Sequence, residues 1–322
     1  MASTTLWEQF ALRTTAGASN LELGVRAILN TGELAPVIPW VDTQGGAYVY
    51  AMDDELPDSQ PRLFDEANDD SQGSTVTEAE VLKIYGKDVK TDSSKIALFG
   101  PNAHARQIEA SARALRMRIE RDFIKGDAAL SAGREMDGLR KKITTGSSQA
   151  IANHATGAGM SFAALDELID SVDGPNSEKR LVMGKKLAVR FGAAARATGV
   201  SGTVNFELNA IGRMSMFYND VEIIRTDVDS KNVAIQGFDE GSSSNTTSVY
   251  CVSMGEGLVS GVQGPSLDIG GNPQPGLVIY DVGESFATPT RLTRISWHAA
   301  MVVENKRAAA RLYNITNAAI TA

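Results

Sequence analysis

Residues 100–126 read GPNAHARQIEASARALRMRIERDFIKG. Ala105, Ile108, Ala112, Leu115, Ile119 and Phe123 recur every three or four positions, which places them on one face of an α-helix. Pro101 suits the first turn, where its missing N–H would be unpaired anyway. Gly126 suits the exit, where a left-handed residue is favoured. At about 1.5 Å of rise per residue, the helix is roughly 35 Å long, the width of a small domain. At ~100° per residue, Arg106, Arg113 and Glu120 fall on the opposite side with Arg121 beside them, so that face is charged and mostly basic. By itself this is an ordinary amphipathic helix with a solvated side. The segment in front of it asks for more.

Ala35 to Met52, APVIPWVDTQGGAYVYAM, is rich in strand formers, with Gly45-Gly46 as a bend or bulge. Val76 to Lys90, VTEAEVLKIYGKDVK, alternates as a returning strand does. Between them lies DDELPDSQPRLFDEANDDSQGS, full of turn residues and poor in apolar ones. It carries eight carboxylates, Asp53, Asp54, Glu55, Asp58, Asp65, Glu66, Asp69 and Asp70, against a single cation, Arg62. A connection this long in a compact domain is functional or mobile. The whole reads as an extended two-stranded arm with an acidic tip. Two strands alone are marginal in water, so the arm needs a surface to lie on. Trp40, Tyr48, Tyr50 and Tyr85 supply aromatic anchors that a solvated insertion would not need.

The chain has 322 residues, too many for one small domain, and is 43% hydrophobic, ordinary for a soluble globular protein. A net charge of −8 argues against a protein that coats nucleic acid. One cysteine, Cys251, excludes an intrachain disulfide and any multi-cysteine metal site, and its apolar setting makes it a small buried hydrophobe. No apolar run approaches a membrane span, and the first residues lack a signal-peptide pattern. The expectation is a soluble protein of a reducing cytosol.

Outside the arm, Asn20 can cap a short helix, LELGVRAILN, that must lean on something else. Residues 161–172 form a helix capped by Ser161, followed by a short strand at LVM and a helix, KKLAVRFGAAARATG, ending at Gly199. YNDVEIIRTDV is a turn followed by a strand. Gly237 to Pro289 carries many glycines, serines and short strands without a helical period. RLTRISWHAAMVV is a long strand, and RAAARLYNI a last helix or strand.

Catalytic patterns are missing. The glycines of GEGLVSG, Gly255 to Gly261, have the wrong spacing and no following helix for a dinucleotide loop. There is no phosphate loop and no nucleophile elbow. His104, His154 and His298 stand apart, with His104 expected at the surface of a helix N-terminus. Asp53-Asp54-Glu55 lacks the spaced ligands of a calcium loop. No catalytic, cofactor or metal residue is assigned, and the expectation is a non-enzyme.

The order of parts resembles the major capsid proteins of tailed bacteriophages, the family with the HK97 fold. The carrying features are the N-terminal arm, the two-stranded loop from Pro36 to Lys90 and a spine helix ending in RDFIKGD. LVMGKKLAVRFGAAARATG and YNDVEIIRTDV follow, and ISWHAAMVVENKRAAARLYNI closes the chain. The resemblance implies an α+β, HK97-like fold. Its parts would be an N-terminal arm at 1–33, an extended loop at 34–98 and an axial domain at 181–288. A peripheral domain would take 99–180 and 289–322, with its spine helix at 101–125. It implies a shell of hexamers and pentamers that encloses double-stranded DNA without reading its sequence. The virion would be assembled in the bacterial host cytoplasm, with a portal, decoration proteins where present, and no membrane or cofactor.

In such shells each subunit's loop lies across its neighbour. The acidic tip (Asp53, Asp54, Glu55, Asp65, Asp69, Asp70) would then face the neighbour's Arg106, Arg113 and Arg121. The chain starts almost at the arm, so a separate scaffold protein is expected. Residues 41–82 contain no lysine, so the covalent lysine–asparagine link of one family member is not expected. The alternatives are an encapsulin-like compartment around protein cargo and an unrecognised enzyme with an acidic lid.

Overall fold

The computed structural model describes residues 3–15, 18–55, 57–58, 60–67, 71–197, 204–209, 212–241, 243–285 and 288–320. Among these residues the helices are α1 (Leu6–Thr15), α2 (Asn20–Leu29), α3 (Ser93–Phe99), α4 (Asn102–Lys125), α5 (Leu139–Lys142), α6 (Phe162–Asp170) and α7 (Lys185–Ala197). The long helix α4 buries Ile108, Ala112, Leu115, Ile119 and Phe123, as its spacing requires, while Ala105 stays exposed. Its C-terminal half sinks deeper than an amphipathic surface helix. Arg116, Glu120, Asp122 and Ile124 are buried there as well.

Four local expectations change. Glu120, read as part of the outer charged face, is buried and accepts a hydrogen bond from the Ala35 N–H at 3.4 Å. His104 is not a surface residue. Its Nδ1 lies 2.8 Å from Thr91 Oγ1 and its Nε2 2.9 Å from Thr293 Oγ1, so it bolts the start of α4 to two strands. Gly126 exits the helix at φ −56°, not left-handed. A glycine is needed there because a Cβ would lie 2.2 Å from the Met136 carbonyl oxygen and 2.5 Å from that of Asp122. The cap of α2 is Ser19, whose hydroxyl accepts from the Glu22 N–H at 3.2 Å, rather than Asn20.

The first sheet is built on the strand Thr290–Val303. Along one edge it pairs antiparallel with Lys83–Asp92. Along the other it pairs first with Val278–Glu284 and then with Val259–Leu267. Val259–Leu267 in turn takes Pro39–Asp42 as a parallel neighbour. That pairing puts Trp40 over Gly261, where a Cβ would come within 2.5 Å of the indole, and sets the Trp40 and Trp297 rings 4.6 Å apart. The helix α4 packs against this sheet, and together with α2 they enclose one core.

The second sheet runs Ala150–Ala152, Ala309–Thr316, Thr246–Ser253, Lys179–Gly184, Val221–Thr226, Met214–Tyr218, Val204–Leu208. Leu165, Leu168, Leu187 and Phe191 of α6 and α7 pack with Leu181, Met183 and Ile223 in a second core. The YND turn reverses the chain at Asn219 and Asp220, both left-handed at φ 47° and 64°, as a tight hairpin requires. RAAARLYNI is resolved as strand. Cys251 is buried in this sheet, and burial pushes its thiol up to about 12. Gly199 lies outside the described residues.

Sheet membership cuts across the sequence boundaries. Strands 259–267 and 278–284, grouped by sequence with the axial stretch, belong to the first sheet. Ala150–Ala152, α6 and Ala309–Thr316, grouped with the peripheral stretches, belong to the second sheet and its core. The arm is also shorter than Pro36–Lys90. Only Ala47–Glu55 and Ser74–Val81 form the free two-stranded ribbon, while Pro39–Asp42 and Lys83–Asp92 are sheet strands.

The N-terminal segment leans on the body, as its small apolar face demands. Arg213 donates to the carbonyls of Asn30 and Gly32 at 2.6 and 2.8 Å. Arg225 grips Glu33 with Nη2 and Nε at 2.6 and 3.1 Å. Both arginines come from the second sheet or the loop beside it. Arg116 of α4 reaches Thr31 Oγ1 at 3.0 Å, so the 30–33 loop ties the two layers together.

Candidate assembly interface

The ribbon is fastened at its stem and open at its tip. Tyr48 Oη donates to Glu304 Oε1 at 3.0 Å, and burial together with this carboxylate pushes the phenol up to about 12. Tyr50 packs on Val262 and Val302 and donates to Glu78 Oε2 at 3.0 Å. Lys142 Nζ is ion-paired with Glu80. These contacts set the direction in which the ribbon leaves the body.

Beyond the stem the chain folds a small closed turn at Arg62–Glu66. The Glu66 N–H donates to the Leu63 carbonyl at 3.4 Å, and the Leu63 N–H returns a bond to Glu66 Oε2 at 2.9 Å. Arg62 Nη1 reaches the Glu66 carbonyl at 3.0 Å, and Asp65 is left-handed at φ 68°. This turn holds Leu63 and Phe64 outward at 73% and 99% exposure. Asp65 and Glu66 within the turn are exposed, as are Asp53 and Asp58 before it in the chain. Asp54 and Glu55 are placed only as strand backbone, and Asp69 and Asp70 lie outside the described residues.

The opposing candidate surface, the outer face of α4, divides along its length. Arg121 Nη1 binds Asp122 Oδ1 at 2.8 Å and Glu135 Oε1 at 3.2 Å. Arg118 Nε binds Asp122 Oδ2 at 2.8 Å, and its Nη2 also pairs with Glu135. Asp122 itself is 0% exposed and accepts from Tyr85 Oη at 3.0 Å. Burial raises its carboxyl above the usual range, against the pull of Arg118. Midway along, Arg113 is paired with Glu109 at 2.8 Å. Arg106 is exposed and has no ion pair among the described residues. Within one chain, none of the tip carboxylates is paired with Arg106, Arg113 or Arg121 among the described residues.

Three features escaped the sequence reading. The apolar pair Leu63–Phe64 was absorbed into a stretch read as polar, although RLFDE carries it in plain view. The helix α3 was hidden in the arm's return; KIALF before Gly100-Pro101 is its signal, and Leu98 and Phe99 stand 79% and 74% exposed. Asp122 appears in the sequence only as part of RDFIKGD, and nothing local marks it as a buried acid; its partners Tyr85, Arg118 and Arg121 are what its burial requires.

The profile of the SU10 major capsid protein family matches residues 4–236 of this chain. The chain belongs to that family. Its role is therefore structural, as the protein of a capsid shell, and its fold is the HK97-like capsid fold with arm, extended loop and spine helix. No curated protein sequence matches it. Among solved structures it is similar to the holo-SrpI encapsulin complex of Synechococcus elongatus PCC 7942. The TM-score is 0.62 and the identity 15%, over 88% of both chains. The capsid asymmetric unit of Cyanophage A-1(L) gives 0.58 at 10% identity, over 86% of this chain and 90% of the other. A chain from Mycobacterium phage Bobi gives 0.57 at 10% identity, over 90% and 91%. At these identities the structures speak for the fold alone. Among the described residues no helix is long and apolar enough to cross a membrane, and no cluster of metal-binding side chains occurs.

Proposed function

We propose that this chain assembles as hexamers and pentamers into the icosahedral head of a tailed bacteriophage, around double-stranded DNA held without sequence readout. The observation that supports it is the family match over 4–236, joined to a ribbon whose acidic tip the chain's own body does not cover. A separate scaffold protein, a portal and decoration proteins are its expected partners, and the host cytoplasm is where the head forms. We assign the first sheet with α4 to a peripheral unit and the second sheet with α6 and α7 to an axial unit. No catalytic role is proposed.

The tip carboxylates of one subunit face the spine helix of the next. Exposed ion pairs are worth only ~0–1 kcal/mol each, so they act through register and repetition across a closed lattice. Likeness to the encapsulin favours a second reading, a shell around protein cargo. Negative-stain electron microscopy beside size-exclusion chromatography tests both. Closed shells or hexamers and pentamers are expected, and co-purifying nucleic acid rather than one internal protein separates the head from the compartment. A small oligomer that never assembles, with or without scaffold, sinks the proposal.

A further inference from the structure

A polar cavity of about 430 Å³ opens on the second sheet, away from the ribbon and the outer face of α4. It lies where the strand Thr246–Ser253 begins and Ala309–Thr316 ends, beside the segment that follows α5. In a chain of net charge −8, its lining carries two arginines, Arg140 and Arg311, against one carboxylate, Glu240. Glu240 is already answered, since its Oε2 accepts from Arg311 Nη2 at 2.8 Å and from the Ser248 hydroxyl. Arg311 is engaged as well. Its Nε donates to Ser248 Oγ at 3.0 Å and its Nη1 to the Ile143 carbonyl at 3.2 Å. Arg140 is different. Its Nε stands 3.7 Å from Glu240 Oε1, beyond hydrogen-bond range, and no other acid pairs with it among the described residues. Thr246 supplies a second unmet group. It is 5% exposed, and its Oγ1 has no hydrogen-bond partner among the described residues. Glu240 and Thr246 exchange both backbone hydrogen bonds, at 2.8 and 3.2 Å, which fixes the two side by side. Gly241 is left-handed at φ 78°, and a Cβ there would come within 2.8 Å of the Thr246 hydroxyl. A glycine thus keeps the space beside that hydroxyl clear.

We infer that this cavity binds a small organic phosphate. The planar fork of Arg140 suits two oxygens of one phosphate group at once, which a point charge would not match. Thr144, Thr145 and Thr246 line the same cavity and bring hydroxyl donors, while Arg311 holds Glu240 back from the anion. The wall is set before a ligand arrives, because the Arg311 guanidinium lies over the rings of Tyr250 and Tyr313, 5.9 Å from each centroid. Size argues against a bare ion. A water occupies about 30 Å³, so inorganic phosphate would leave most of the cavity unfilled, whereas small-molecule sites start at roughly 300 Å³. Tyr313, in the lining, meets the rest of the ligand. The inference stands apart from the shell reading and holds whatever the shell encloses.

The test is equilibrium dialysis of the full chain, in the assembly state in which it is purified. Radiolabelled adenosine monophosphate and ribose 5-phosphate are the probes. A single saturable site per chain is expected for at least one of them, roughly tenfold tighter than inorganic phosphate in competition. Arg140→Ala should weaken binding by about tenfold or more with an unchanged melting temperature, because the side chain is partly exposed and holds no acid at hydrogen-bond distance. Thr144→Val with Thr145→Val changes no charge and should weaken binding by about threefold or more. No saturable binding of either probe overturns the inference. So does an affinity that neither variant changes, or inorganic phosphate that competes as well as the organic probes. Displacement by blunt duplex DNA at equal phosphate concentration overturns it too, since the site would then belong to nucleic acid.

Discussion

The C-terminal half of α4 and the tip of the ribbon are both densely charged, and they are built in opposite ways. Around Asp122 every charge is answered within the chain, by Arg118, Arg121, Glu135 and the Tyr85 hydroxyl. At the tip, Arg62 reaches the Glu66 carbonyl and has no ion pair among the described residues, and a phenyl group stands in water. A charge network that closes on itself specifies the subunit. One that stays open, with apolar groups beside it, specifies a neighbour. Stability and assembly should therefore be separable by mutation.

Phe123→Ala gives the largest expected effect, because it empties a packed site under the closed network. It should lower subunit stability by about 3–5 kcal/mol in a urea titration, and assembly should fail only as far as folding does. Asp122→Ala comes next. It leaves the Tyr85 hydroxyl buried without its acceptor and leaves Arg118 and Arg121 with Glu135 as their shared partner, at a cost of about 1–3 kcal/mol. A loss as large from Phe64→Ala, which should change stability by less than about 0.5 kcal/mol, would break the comparison.

A smaller effect depends on pH. Burial, with Arg291 nearby, lowers the His104 pKa below its ordinary 6.5. Above that value both the folded and unfolded chains carry neutral His104, and its contribution to stability is complete. As pH falls below 6.5 the unfolded chain binds a proton that the folded chain resists, so stability drops until the folded pKa is reached. Thermal melts of parent and His104→Gln should thus converge on acidification. Parallel curves would mean that His104 titrates normally. Smallest is the effect of Asp65→Asn, Asp69→Asn and Asp70→Asn together. Subunit stability should not move, while assembly weakens in low salt and the difference fades as salt rises. Unchanged assembly of that triple variant in low salt removes the carboxylates from the contact.

Much of this was legible in the chain itself. The spacing from Ile108 to Phe123 gives the helix and its buried face, since a 3.6-residue period leaves no alternative that buries those side chains together. The arm and its eight carboxylates are plain from composition, and YND announces a hairpin turn. Less legible were positions where a residue's usual environment is overridden by its neighbours. Glu120 falls on the outer side of the helical wheel, yet the 30–35 loop folds over it and supplies a backbone donor. His104 is drawn inside by two threonines 13 positions before and 189 positions after it in the chain.

The sequence by itself determined the helix, the acidic tip, the lack of catalytic motifs and the order of parts that the capsid family shares. These are properties of local period, turn chemistry and composition, and they need no knowledge of distant contacts. Only the tertiary structure decided that strands 259–267 and 278–284 join the first sheet, that Gly126 serves close packing, and that the arginines of α4 differ in availability. Each of those depends on which distant backbone or carboxylate arrives at a given place, and strand pairing and ion pairing are set by three-dimensional proximity that no local pattern encodes.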